Sequence, residues 1–199
     1  MLLMGAVAGS FPDPSTDVQP AGGSQTAVFA GGCFWCTEAV FEQLKGVKSV
    51  VSGYAGGTKA TAHYEIVGAG KTDHAEAIQI TFDSSKITYG QLLKVFFAAA
   101  HDPTTLNRQG PDSGRQYRSA IFTGNDEQKR VAAAYIEQLT QAKVFGHPIV
   151  TQVAPLEKFY PAEEYHQDFV KRNPGHPYVM VNAIPKIQKV KKLFPDLTK

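Results

Sequence analysis

Cysteine is nearly missing from this sequence: 199 residues contain two. The disulfide frameworks that staple small secreted domains are therefore excluded. A dominant charge is missing as well. Lysine and arginine number 20 against 18 aspartates and glutamates, a net charge of +2, so nothing pulls the chain strongly toward nucleic acid or an anionic membrane. No run of eighteen apolar residues occurs, and no helical membrane span is expected. Charged residues make up 19% and apolar residues 43%. That balance excludes disorder by composition and permits a real core. The length suits one domain, and no internal repeat is found.

The two cysteines lie close together, in Gly31-Gly32-Cys33-Phe34-Trp35-Cys36. Before them, Gln25 to Ala30 alternates polar and apolar residues and reads as a strand. After them, Val40, Phe41 and Leu44 fall on one face of a helix. Both thiols thus sit at a strand-to-helix junction, where free N–H groups and the helix dipole favour an anion. A thiolate is such an anion and is the reactive form of cysteine. Other readings compete. A zinc half-site needs two more ligands, and the six histidines offer no close pair. Haem attachment needs a histidine where Thr37 stands. A purely structural bridge closing so small a loop removes little chain entropy. Redox or nucleophilic chemistry is favoured.

Around this junction the sequence divides into three parts. Residues 1–24 read as a flexible leader. Its apolar run Leu2 to Ala8 ends in Ala6-Val7-Ala8, which is the small-x-small pattern of a signal peptide, without a positive start. Two locations stay open: cytoplasmic, or extracytoplasmic (periplasmic) if the run is a signal remnant. Gly9 to Gly23 reads as linker. Residues 25–185 form the domain and 186–199 a basic amphipathic tail, read as a solvated helix face. Further strands are expected at Val47–Tyr54, Glu76–Asp83, Tyr117–Phe122 and Pro148–Ala154. Helices are expected at Cys33–Lys45, after Thr88, from Asn125 or Asp126 to Ala142, and at Ala162–Arg172. The polar stretch 58–73 is long for a plain loop and is a functional candidate, and 101–116 is a second irregular stretch. The fold class is α+β: a two-layer sandwich, helices packed on a mixed sheet, joined by long glycine-rich loops.

Several motifs point further. Gly-Cys-Phe-Trp-Cys after a strand, Ser52-Gly53-Tyr54-Ala55-Gly56-Gly57, Asp73-His74-Ala75-Glu76 and Gln116-Tyr117-Arg118-Ser119-Ala120 occur in that order. The stretch from Ala27 to Pro177 closely resembles the peptide methionine sulfoxide reductase A family, and within it the subgroup with Cys-Phe-Trp-Cys. The resemblance implies a ferredoxin-like core and reduction of the S epimer of methionine sulfoxide, free or in proteins. Each sulfoxide epimer has its own reductase. By motif, Cys33 is the nucleophile, and Phe34 and Trp35 line the substrate methyl group. Glu76 protonates the sulfoxide oxygen, Tyr64 and Tyr117 hydrogen-bond it, and Asp112 lines the pocket. Many members have glycine at the place of Cys36 and carry recycling cysteines near the C-terminus. No cysteine follows Cys36 here, so Cys36 is the implied resolving thiol. No bound cofactor or metal is implied; turnover requires an external thioredoxin-like dithiol, and the protein is expected to be a monomer. Two other functions remain: a thioredoxin-like dithiol–disulfide exchanger, and a zinc-binding interaction module.

Overall fold

Period-two patterning sets the sheet, and the computed structural model describes it over residues 11–20 and 22–199. The apolar run Leu2 to Ala8 lies outside the described residues. In β1 (Ser24–Gly31), Ala27 and Phe29 enter the main core while Val28 and Ala30 enter a smaller cluster of small side chains. In β3 (Ala75–Asp83), Ile78, Ile80 and Phe82 join the main core, and Ala75 and Ala77 the smaller cluster. Glu76 shares the parity of Ile78 and Ile80. The strand therefore turns this carboxyl toward the helices.

The sheet adds β2 (Val47–Ala55), β6 (Ser119–Thr123), β7 (Gln152–Pro155) and β8 (Phe159–Pro161), in the order β7-β6-β1-β3-β2-β8. All pairs are antiparallel except β6 with β7. Helix α1 (Phe34–Phe41) links β1 to β2, and α3 (Tyr89–Val95) lies between β3 and β6. The order β6-β1-β3-β2 with these two helices is the ferredoxin-like split βαβ arrangement. Helix α4 (Asp126–Gln141) then crosses over to the parallel strand β7. The main core joins Val40 and Phe41 of α1, Leu92 and Leu93 of α3, and Val131 and Tyr135 of α4 to the large side chains of β1 and β3. Each fully buried Phe or Ile contributes about 1.5–3 kcal/mol.

Helix starts follow the sequence closely. Thr88 and Gln91 form a reciprocal capping box, at 3.1 and 2.9 Å, worth about 1 kcal/mol. Asn125 caps α4 through Gln128 N–H at 2.8 Å.

Three expectations are corrected. The stretch read as flexible linker is tied down from Pro12 to Asp17. Asp13 pairs with Lys94 at 2.7 Å, Asp17 accepts the Gly90 N–H at 2.7 Å, and the Tyr135 hydroxyl donates to the Pro12 carbonyl at 2.9 Å. Ala162–Arg172 is not one helix. It comprises a 3-10 turn (Glu164–His166) and a short α5 (Phe169–Arg172), separated by Asp168 in a left-handed conformation with φ 52°. Long-range bonds override the helical spacing here. The Gln167 amide accepts from Ser52 N–H and donates to Ser52 C=O, both at 2.9 Å, so it pairs with β2 as a strand would. The tail keeps Lys189, Lys191 and Lys192 on a solvated face, but it is not separate from the domain: its other face is docked. A π-helical turn (Val179–Ala183) leads into α6 (Ile184–Leu193), Val190 is buried, and Lys199 N–H donates to Gln43 C=O at 2.8 Å. Among the described residues, no helix is long and apolar enough to cross a membrane.

Candidate active site

The site begins at the turn between β1 and α1. Gly32 has φ +87°, and a Cβ there would stand 2.5 Å from the Gln109 side chain, so both backbone conformation and space call for glycine. Cys33 follows as the N-cap of α1. Its carbonyl accepts from Cys36 N–H at 3.1 Å and Thr37 N–H at 3.3 Å. Cys36 is the third helical residue, which is the residue an N-cap side chain leans toward. The geometry that lets serine or threonine cap a helix here brings two sulfurs together. Both are free thiols; Cys33 is 9% exposed and Cys36 1%.

Glu76 meets the same helix start. Its Oε2 accepts the Phe34 N–H at 3.1 Å, and the residue is 2% exposed. Burial pushes its carboxyl up to about 8, against the opposing pull of the Phe34 N–H, with Asp112 adding to the rise. Glu76 is therefore largely protonated at neutral pH. This changes the expected thiolate. The first helical N–H serves Glu76 instead of Cys33. Burial, the contact with Cys36 and the Glu76 charge all push the Cys33 thiol up. The bond from Cys33 lowers Cys36 against its burial, and Lys186 of α6 and Tyr178 lower it further. At rest the shared proton favours Cys33.

The expected donors converge from two segments. Tyr64 opens α2 (Tyr64–Gly68), and Tyr117 closes the 3-10 turn Arg115–Tyr117. Burial raises both phenols, and charge on Glu76 and Cys33 raises them further, so both face this site as neutral donors. Asp73 ties the segments together: its carboxylate pairs with Arg115 at 2.9 Å and its carbonyl accepts from Arg118 at 2.8 Å. Asp112 lies on β5 (Asp112–Ser113), paired with β4 (Arg108–Gln109), and accepts from the Tyr178 hydroxyl.

Phe34 is buried, with ring centroids 5.9 Å from Tyr54 and 5.0 Å from His166. Trp35 is half-buried, stacked on Phe169 at 3.7 Å, and its Nε1–H donates to His166 Nδ1 at 3.0 Å. All eight residues singled out from the sequence thus lie around one helix start. Sequence reasoning missed Tyr178, His166 and Phe169. Tyr178 is the largest omission, since its hydroxyl bears on both sulfurs and on Asp112. A signal existed: Val179, Ala183 and Val190 recur at helical spacing beyond the last motif, marking a segment that packs. Among the described residues, no group of three or more His, Cys, Asp or Glu could hold a metal ion.

A buried acid beside paired thiols suits a reductase that must deliver a proton together with a sulfur nucleophile. The fold and site define a thiol-dependent oxidoreductase. Comparisons narrow the class. A model of the family described as peptide methionine sulfoxide reductase matches residues 25–197, past Pro177 and through α6. A relative from Synechocystis, peptide methionine sulfoxide reductase MsrA 2, is 55% identical over 192 residues, covering 94% of this chain and 90% of its own. Reduced Mxr1 of Saccharomyces cerevisiae superposes with a TM-score of 0.73 at 34% identity, over 84% of this chain and 94% of that one. Mxr1 in complex with Trx2 gives 0.53 at 26% identity, over 80% and 94%. The chain belongs to the peptide methionine sulfoxide reductase family.

Proposed function

We propose that this enzyme reduces the S epimer of methionine sulfoxide, free or in peptides and proteins, with Cys33 as nucleophile and Glu76 as proton donor. Reduction of methionine sulfoxide is the chemistry of its family. The observation that carries the residue roles is the buried Glu76 carboxyl, bonded to the N–H of the residue after Cys33 and raised to about 8.

Sulfoxide sulfur becomes electrophilic when its oxygen is protonated or strongly hydrogen-bonded. Cys33 and Glu76 are linked by charge. With the proton on Glu76, the charge that raises the Cys33 thiol disappears, and Cys33 ionises more readily. Tyr64 and Tyr117 donate to the sulfoxide oxygen while Phe34 and Trp35 surround the methyl group. The Cys33 thiolate attacks sulfur, Glu76 supplies the proton, and the oxygen ends on Cys33. Methionine leaves and Cys33 becomes a sulfenic acid. The Cys36 sulfur then attacks the Cys33 sulfur, the sulfenic oxygen leaves as water with the thiol's proton, and a Cys33–Cys36 disulfide closes, which an external thioredoxin-like dithiol reduces. The lowered Cys36 thiol suits this resolving role, and a relative of similar fold forms a complex with Trx2. A plain dithiol–disulfide exchanger would leave Glu76 and both tyrosines without a task.

Single-turnover reduction of an epimerically resolved sulfoxide peptide by Cys36→Ser tests this scheme. The variant should release about one methionine per chain and stall with one oxygen on Cys33, while Cys33→Ser releases none. Multiple turnovers of Cys36→Ser with thioredoxin alone would remove Cys36 from the cycle.

A further inference from the structure

Trp35 is the single tryptophan of the chain, and its orientation depends on one bond. The indole Nε1–H donates to His166 Nδ1 at 3.0 Å while the ring stacks on Phe169 at 3.7 Å and 7°. An indole nitrogen can only donate, so Nδ1 must be the accepting, unprotonated nitrogen of a neutral imidazole. The ring proton then resides on Nε2. That atom is buried without a hydrogen-bond partner among the described residues. It faces Glu163 Oε2 at 4.0 Å, outside bonding range. Glu163 is held in place by two other groups: the Tyr54 hydroxyl donates to its Oε2 at 2.8 Å, and the Tyr64 N–H to its Oε1 at 2.9 Å.

Taking the reaction above as given, we propose that His166 is a positioning residue for the methyl-binding wall, holding the Trp35 indole only while its imidazole is neutral, with Glu163 as the group that competes for it. Neutral His166 accepts from Trp35, and the wall is set. Protonation makes both nitrogens donors. Nδ1 then repels the indole N–H, and Nε2–H is drawn to the carboxylate 4.0 Å away. The indole loses its hydrogen-bonded anchor and keeps its ring contacts: the Phe169 stack and the edge-on packing with Tyr178 and His176. Burial of His166 favours the neutral, anchoring form. The other titratable groups nearby are Tyr64 and Tyr165, whose ring centroids lie 4.3 and 4.2 Å from His166, Tyr178 and His176, edge-on to the indole at 5.9 and 6.4 Å, and Glu38, which accepts the Asp168 N–H next to Phe169. The tyrosines stay neutral through the acidic range. His176 is exposed and needs a control.

The arrangement makes the fluorescence of the intact protein a direct reading of the proposal, independent of sulfoxide chemistry. Acidified from pH 8 to pH 4.5, the parent should show a transition in emission below the ordinary histidine range of about 6.5, separate from any change as Glu76 and Glu38 take up protons at about 8 and about 7. The transition should persist in His176→Gln and vanish in His166→Asn. A transition that His176→Gln removes, or that His166→Asn leaves in place, overturns the proposal. Kinetics supply the second arm. His166→Leu should raise KM for a sulfoxide peptide about tenfold, the value of one hydrogen bond, with the single-turnover rate at saturation nearly unchanged. His166→Asn places an amide oxygen near the Nδ1 position and should recover most of that loss. If His166→Leu keeps the parent KM, or if Asn recovers nothing, His166 is only a packing residue. Inactivity of the parent toward every sulfoxide would sink the assigned reaction while the fluorescence arm still judges the anchor.

Discussion

Two buried glutamates meet at the first helix, one facing its start and one within it, and they are chemically alike. Glu76 and Glu38 are each 2% exposed. Burial is the main cause that raises both, to about 8 and about 7. Their neighbours differ. Glu76 faces the helix start, where Cys33, Tyr64 and Tyr117 converge on it. Glu38, further along α1, accepts the Asp168 N–H at 3.2 Å and has the acids Glu42 and Asp168 beside it. No thiol or phenol joins that second group; its one neutral side-chain neighbour is the Ser52 hydroxyl, which lowers it. A raised carboxyl pKa marks burial, and only the surrounding residues turn it into an acid catalyst. Glu38 instead closes the left-handed turn at Asp168, which swings His166 and Phe169 toward Trp35.

The largest expected effect breaks the first acid. Glu76→Gln keeps an acceptor for the Phe34 N–H but removes the proton donor, so the reductive step should slow by about 10²–10⁴-fold. The parent rate should fall as pH rises through about 8, because the protonated carboxyl is the active form and is lost there. In the variant that decline should be absent, and the deficit should narrow at low pH, where solvent protons substitute. Single-turnover rates from pH 5 to 9 measure both. A variant with the parent rate would place Glu76 and Glu38 in the same structural category.

A smaller effect tests the neighbours. Tyr178 donates to Asp112 and lowers both thiols. Tyr178→Phe removes that donor, so both thiols should titrate higher and turnover at pH 7 should fall about tenfold, within the range for a lost bond to a charged group. Raising the pH should restore much of it. An unchanged pH profile would show that the hydroxyl serves Asp112 alone.

These differences also mark what could be read from sequence. Strand parity placed Glu76 under the helices, because 76, 78, 80 and 82 must share a face. Thr88 and Asn125 announced their caps through local chemistry. What stayed hidden depended on distant partners. The break at Asp168 is set by Gln167 pairing with Ser52, 115 residues away in sequence, and no local pattern encodes that. Tyr178 lay just beyond the last recognised motif, in the segment leading into α6, whose apolar residues cover the cysteines. Beyond burial, the upward push on Cys33 also comes from a distant partner. The helix N–H that would have favoured its thiolate is taken by Glu76, from a strand 42 residues onward.

The smallest effect on chemistry belongs to the second acid, and it should appear in stability instead. Glu38→Gln should leave the reductive rate within about threefold of the parent, since Glu38 touches no reacting atom. Its carboxyl binds a proton more tightly in the folded protein, at about 7, than in the unfolded chain, near 4.5. A raised acid contributes stability below its unfolded value and loses it as pH rises to the folded value. Each unit corresponds to about 1.4 kcal/mol, so the parent should lose about 2–3 kcal/mol from this group between pH 4.5 and 8. The glutamine variant keeps the oxygen that accepts from Asp168 and has no proton to lose. Its stability relative to the parent should therefore improve by about that amount across the same range, read from urea midpoints at the two pH values. A difference that does not change with pH would mean Glu38 titrates as an ordinary solvated acid. A hundredfold loss of activity in the same variant would erase the distinction between the two glutamates and bring the far side of α1 into the active site.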